Sequence, residues 1–202
     1  MIDKYNALRI AYDVIKTEAG AVSEAARYMD EDEFMKAVTA ITSAPLVITT
    51  ACGTSGMAAM KFAHLLCCIE RTARFLSPAE ATHGGLGCVQ AGSVVVLVSK
   101  GGNTSELSSI VEVSKKRGAI LIAVTENTNS YLAQQSDIVL RSNTVCEVGR
   151  YNILSTSSFL VSVAILDALI CVLMETTNFN TESFSLIHPG GAVGLQLNSL
   201  EK

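Results

Sequence analysis

Ser93–Thr104 reads SVVVLVSKGGNT: a continuous β-branched and aliphatic run, then two glycines, an amide and a hydroxyl. A short apolar run bounded by turn residues is a strand buried on both faces. A helical pattern follows it to Arg117, where Gly118 stops the helix. The same unit occurs earlier. Leu46–Ala51 (LVITTA) is a strand, Cys52–Gly56 breaks it, and Met57–Cys68 reads as helix. Further strands are predicted at Arg74–Ser77, Ala119–Thr125 and Asp137–Arg141, with a helix at Asn129–Gln135 and a long one from Leu154 to Glu175. Apolar strands alternating with helices specify an α/β protein whose parallel sheet is covered on both faces. Five such strands fit a doubly wound, flavodoxin-like sheet.

Upstream of this core, Tyr5, Leu8, Tyr12, Ile15, Ala19, Val22, Ala26 and Met29 recur in steps of three and four. That spacing predicts a helix with one apolar stripe, facing either its own domain or a partner subunit. Asp30 and Glu33 form the pattern of a capping box for a second helix, with Phe34, Val38 and Ile41 inward and Pro45 at its end. The 202 residues suit a single domain, with N-terminal helices over 1–44 and an α/β core over 45–202.

Composition narrows the class. Hydrophobic residues make up 49 % and mean hydropathy is +0.37, which excludes a disordered chain. A net charge of −4 and a pI near 5.4 leave no basic footprint for nucleic acid. Six cysteines stand at 52, 67, 68, 88, 146 and 171 without a CxxC pair, so no metal or thioredoxin motif is expected and a reducing cytoplasm fits. The N-terminus, MIDKYNALRIAYD, carries charges where a signal peptide has its apolar core. Phe159–Met174 is nearly all apolar, but it is short for a span and interrupted by Asp167. A buried helix is expected there, with no membrane partner.

In doubly wound sheets ligands bind beyond the carboxyl ends of the strands. Two loops there share one design: Gly53-Thr54-Ser55-Gly56, and Ser99-Lys100-Gly101-Gly102-Asn103-Thr104. Glycines allow close backbone approach, helix N-termini favour anions, and hydroxyls add donors. Two such loops converging point to one phosphate. The same residues also make ordinary N-caps and turns. Neither loop has Walker A spacing or GxGxxG.

The segments CGTSGMA, SPAEATHGGLG (Ser77–Gly87), LVSKGGNTSEL (Leu97–Leu107), CEVGRYNILSTSS (Cys146–Ser158) and SLIHPGGAVG (Ser185–Gly194), in this order, resemble the sugar isomerase (SIS) domain. The narrower PAEA-x-HG-x-LG and HPGGA-x-G segments resemble the arabinose 5-phosphate isomerases. The resemblance implies exchange of ribulose 5-phosphate and arabinose 5-phosphate, feeding synthesis of the surface sugar Kdo. It implies no metal and no organic cofactor, a tetramer with sites near subunit contacts, and functional positions at His83, Glu106, Glu147 and His188. Another phosphosugar isomerase and a non-catalytic phosphosugar-binding regulator are the competing readings.

Aldose–ketose exchange needs a general base near neutral pKa and groups that polarise a carbonyl. On this resemblance His188, presented before Pro189-Gly190-Gly191, is the expected principal acid/base, and His83 orients sugar hydroxyls. Glu147 is either a second acid/base, or the group that sets the histidine's protonation, or a carboxylate satisfying a helix entry. Glu106, in the first turn after the second loop, is either a dipole-favoured carboxylate or a group that points toward the sugar or a neighbouring subunit. Three positions depart from the family: Thr54 where lysine is usual, Gly101 where serine is usual, and Lys100 where asparagine or glutamine is common. Lys100 is therefore expected to take over part of the phosphate's charge partner role. CBS domains often follow the SIS domain in this family; the chain ends at Lys202, and no such module is expected.

Overall fold

The computed structural model describes residues 2–192 and residue 194. Met1, Val193 of the HPGGAVG segment and the end of the expected domain, 195–202, lie outside the described residues. Five strands form one sheet: β1 (Val47–Thr50), β2 (Ala73–Phe75), β3 (Val94–Val98), β4 (Ile120–Thr125) and β5 (Ile138–Arg141). All pair in parallel, in the order β2-β1-β3-β4-β5, with Val47 opposite Val94 and Val94 opposite Ile120. This is the doubly wound order expected. The strand order reverses between β1 and β3, which opens a crevice at their carboxyl ends.

Strand side chains alternate between two cores. Val47, Val94, Val96, Val98, Ile122 and Val124 face one side. There they meet α1 (Lys4–Ala25), α2 (Glu31–Ser43), α3 (Gly53–Cys68) and α7 (Ser157–Thr176). Ile48, Val95, Leu97, Leu121 and Ala123 face the other side. That layer holds α4 (Pro78–Ala81), α5 (Ser108–Lys116) and α6 (Tyr131–Gln135). Helix α8 (Thr181–Ile187) buries none of its residues.

Several boundaries differ from expectation for local reasons. The strand expected to reach Ser77 stops at Phe75, because Ser77 is the N-cap of α4 and Pro78 its first residue. The helix expected from Met57 starts at Gly53, so the glycine–hydroxyl loop is itself the first turn of α3. The helix expected directly after Thr104 begins as a 3₁₀ turn, Ser105–Leu107, before α5. Asp30 accepts from the Glu33 N–H at 3.0 Å as predicted, but the reciprocal half of the capping box is absent. Glu33 instead binds Lys36 at 2.7 Å and the Val139 N–H at 2.8 Å, tying α2 to β5.

The first helix also turns differently. Its buried residues are Ala21 and Ala25, which pack with α7, and it ends at Ala25 in a short 3₁₀ turn. The forward part of the predicted stripe is exposed: Tyr5 by 78 %, Leu8 by 44 %, Tyr12 by 68 % and Ile15 by 63 %. Helix α7 has the length and hydropathy of a membrane span, yet half of it is buried, including Val161, Leu166, Leu169 and Leu173. It is a core helix, and its Asp167 pairs with Lys61 of α3.

Candidate active site at the carboxyl ends of the strands

A cavity of about 920 Å³ lies over the carboxyl ends of β1 and β2, beside the segment that follows β3. Its wall includes Cys52, Gly53, Ser77, Thr82, Ser105 and Glu106. Gly53 has a φ of +56°, a conformation that favours glycine, and this turns the chain directly from β1 into α3. No side chain caps α3, since Cys52 occupies the N-cap without a hydrogen bond. The first N–H groups of a 16-residue helix and its positive dipole end thus serve the cavity. Thr54 and Ser55 stand on the same turn. On another wall Glu106, exposed in the 3₁₀ turn, accepts from the Ser105 hydroxyl at 3.0 Å. Burial, helped by the Glu106 charge, pushes the Cys52 thiol pKa up, so this cysteine is no activated nucleophile.

The second loop is largely engaged with itself. The Ser99 and Thr104 hydroxyls share a 2.8 Å hydrogen bond, and the Gly102 N–H donates to Ser99 Oγ at 3.1 Å. The Tyr131 N–H donates to Asn103 Oδ1 at 2.9 Å, so Asn103 serves the start of α6. Gly102 has a φ of +67°, and a Cβ there would lie 2.0 Å from Ser130 Oγ. Ser99 and Thr104 hold two hydroxyl protons between them and spend one on each other, which leaves one O–H for a ligand. Gly101 is exposed at the tip.

Glu147 is buried, its side chain only 4 % exposed. Its Oε2 accepts from the Thr156 N–H at 2.9 Å, the Ser158 N–H at 3.1 Å and the Thr156 hydroxyl at 3.2 Å. Its Oε1 accepts from Lys100 Nζ at 2.8 Å. Burial raises the carboxyl pKa, but the Lys100 ammonium and the Ser158 and Thr156 donors outweigh it and hold the group at about 2. Glu147 therefore caps α7, whose own N-cap Thr156 makes no side-chain cap bond. Of its expected roles, the helix-entry carboxylate is the one these contacts display. Lys100, expected as a free phosphate partner, is bound to it.

His83 is exposed in the turn after α4, next to the cavity-lining Thr82, and its backbone N–H donates to Glu80 O at 3.1 Å. His188 is the C-cap of α8, with its ring 4.5 Å from that of Phe184. Within the chain, then, Gly53 and Glu106 line the cavity with His83 at its rim. Lys100 and Glu147 form a separate pair at the N-terminus of α7, and His188 stands on a helix with no buried residue.

Residues 40–172 match the SIS domain, two thirds of the chain.

The chain belongs to the SIS domain family.

Among its relatives, the arabinose 5-phosphate isomerase KdsD of Pseudomonas aeruginosa is 34 % identical over 167 residues, 82 % of this chain and 51 % of that protein. A crystal structure from Listeria monocytogenes, of a protein assigned as a sugar-phosphate isomerase, has a TM-score of 0.91 at 40 % identity, covering 94 % of this chain and 100 % of that one. An Escherichia coli CFT073 protein solved in complex with arabinose 5-phosphate has a TM-score of 0.86 at 27 % identity, covering 93 % and 100 %. The chain spans about half the length of the curated relatives it matches.

Around Glu147 and in the cavity stand residues that sequence reading passed over. Thr156, Ser158 and Asn152 hold Glu147 in place, Asn152 by accepting from its N–H at 2.6 Å. The Ser-Thr-Ser-Ser run before an apolar helix was the available signal, because such residues cap helices. Cys52, Ser77 and Thr82 line the cavity without a pattern of their own. Among the described residues, no three His, Cys, Asp or Glu side chains stand close enough to hold a metal ion.

Proposed function

We propose that this SIS domain interconverts ribulose 5-phosphate and arabinose 5-phosphate through an enediol. The observation that carries this reading is the cavity at the switch point, where the uncapped N-terminus of α3 faces Glu106. An anion seat and a carboxylate share one space of a size suited to a small ligand. Relatives named arabinose 5-phosphate isomerase favour this substrate pair over other phosphosugars.

In this reading the phosphate rests on the N–H groups of Gly53, Thr54 and Ser55 and on the spare hydroxyl of Ser99 or Thr104. The carbonyl end extends toward Glu106 and His83. A base removes the proton from the carbon beside the carbonyl, the electron pair forms the enediol, and the carbonyl oxygen takes a proton. Reprotonation on the neighbouring carbon, with loss of the hydroxyl proton from the first, completes the exchange. His188 is the principal acid/base, supplied across a subunit contact. Glu147, ionised throughout the neutral range, is a fixed anion in this scheme and shuttles no proton. The enzyme works in the cytoplasm and feeds Kdo synthesis.

A panel of phosphosugars without added metal tests the substrate. The pentose pair should exceed hexulose 6-phosphates in kcat/KM by at least about tenfold, the scale on which a pocket distinguishes one extra carbon. Binding of the pentose phosphates with no turnover of either would contradict the isomerase and favour a binding regulator.

Assembly follows the same reading. The exposed stripe of α1, together with Tyr151, Ile153, Leu154 and Leu186 (each at least 68 % exposed), is more apolar surface than one small domain normally leaves open. A homotetramer of dihedral symmetry is expected. Light scattering at micromolar concentration should give four times the 21.4 kDa chain mass, and a monomer would contradict it.

A further inference from the structure

The two ends of α3 differ in chemistry. Its N-terminus serves the cavity, whereas its C-terminal end carries His64 and Cys68. These residues stand at i and i+4, which puts both side chains on one face of the helix. His64 is exposed and Cys68 half-buried, so solvent reaches the pair. Cys68 Sγ lies 3.6 Å from His64 Nε2. A tetrahedral zinc ion at its ordinary distances from one thiolate and one imidazole sets those two atoms about 3.5–3.6 Å apart. The two donor atoms therefore already stand at the spacing such an ion requires.

The surroundings favour a cation. The unsatisfied C-terminal carbonyls of α3 give this end a partial negative charge. Glu70, exposed two residues further on, adds a full one. The flanking cations are turned elsewhere: Lys61 pairs with Asp167, and Arg71 donates to Thr42 O at 3.3 Å. Cys67 stands apart from the pair, since its thiol donates to Ala73 O at 3.4 Å.

We propose that His64 and Cys68 bind a borderline divalent cation, with Zn²⁺ as the ion whose ligand preference and geometry they match. Two side chains are supplied, so water fills the other positions and the ion is exchangeable rather than a closed structural one. Burial holds the Cys68 pKa above its ordinary value, and the thiol proton passes to solvent as the thiolate–metal bond forms. The neutral imidazole contributes its Nε2 lone pair, and no electron is transferred. The site is separate from the cavity, because roughly 17 Å of helix axis lies between Gly53 and His64. It stands whether or not the isomerase reading does.

Cobalt and zinc titrations of the full chain under reducing conditions test this. Co²⁺ should produce a near-ultraviolet sulfur-to-cobalt charge-transfer band, and Zn²⁺, the stronger binder, should remove it by displacement. Cys68→Ser should abolish the band, and Cys67→Ser should leave it unchanged. His64→Ala should weaken the fitted affinity at least about tenfold, since losing a ligand costs no less than losing a group that orients one. A second readout needs no variant: excess Zn²⁺ should slow alkylation of Cys68 by iodoacetamide, located by mass spectrometry, but not that of the exposed Cys171. No band in the unaltered protein, a band that survives Cys68→Ser, or an affinity untouched by His64→Ala would overturn the proposal. Equal alkylation of Cys68 with and without Zn²⁺ would do the same.

Discussion

His188→Ala is expected to lower kcat by at least ~10², the scale of general acid–base catalysis, while melting temperature and oligomer size stay near those of the unaltered protein. The combination is informative because of where His188 sits. Its ring touches Phe184 at 4.5 Å, and α8 buries none of its residues. Losing one half-exposed ring contact costs roughly 0.5–1.5 kcal/mol at most. A large kinetic loss therefore has no structural explanation within the chain. His188→Gln, which keeps hydrogen-bonding capacity but cannot titrate, should be as inactive as the alanine variant. Near-normal kcat in either would make His188 a loop histidine without a role in proton transfer.

Glu147→Ala is expected to cost about 3 kcal/mol of stability, because its carboxyl is held at about 2 against an ordinary value of 4.5. For a domain of this size that is a fall of roughly 6–12 °C in melting temperature. The figure is an upper one, since the Lys100 side chain is 42 % exposed and its attraction is partly screened. The sign with pH is definite. The folded pKa lies below the unfolded one, so the contribution is complete above about 4.5 and is lost as pH falls toward about 2. Urea unfolding of the unaltered protein and Glu147→Gln should show a gap at pH 7 that narrows at pH 3. A gap of equal size at both pH values would mean that the charged carboxylate is not its source.

The sheet was legible because β1, β3 and β4 are continuous apolar runs, and only a strand covered on both faces has that composition. The inner face of α1 was not. The spacing singled out Tyr5, Leu8, Tyr12, Ile15, Ala19, Val22, Ala26 and Met29; of these Val22 and Met29 pack against the core, the first four are exposed, and the fully buried positions of α1 are Ala21 and Ala25. Helix α7 is apolar nearly all round, so what decides its neighbour's contact face is small size rather than hydrophobic period. Helix α8 gave no periodic signal because it has no buried face.

At the site, residue types were legible and their partners were not. Asn103 and Ser99 have the composition of a phosphate loop, but caps and anion sites draw on the same donors and acceptors. Only tertiary contacts show that Asn103 serves α6 while α3 is left uncapped. Glu147 was visible as a carboxylate before an apolar helix. That it caps this helix and holds Lys100, on the far side of α5, β4, α6 and β5 in the chain, depends on a 47-residue separation that no local pattern encodes.

The central claim is proton exchange between adjacent carbons of a pentose phosphate at this SIS site. Proton NMR of the purified chain with ribulose 5-phosphate in deuterated water, without added metal, tests it most directly. The expected result is formation of arabinose 5-phosphate carrying deuterium at the carbon next to the carbonyl, with the reverse reaction labelling ribulose 5-phosphate likewise. No conversion in either direction, or conversion with no solvent deuterium at that carbon, would contradict the account.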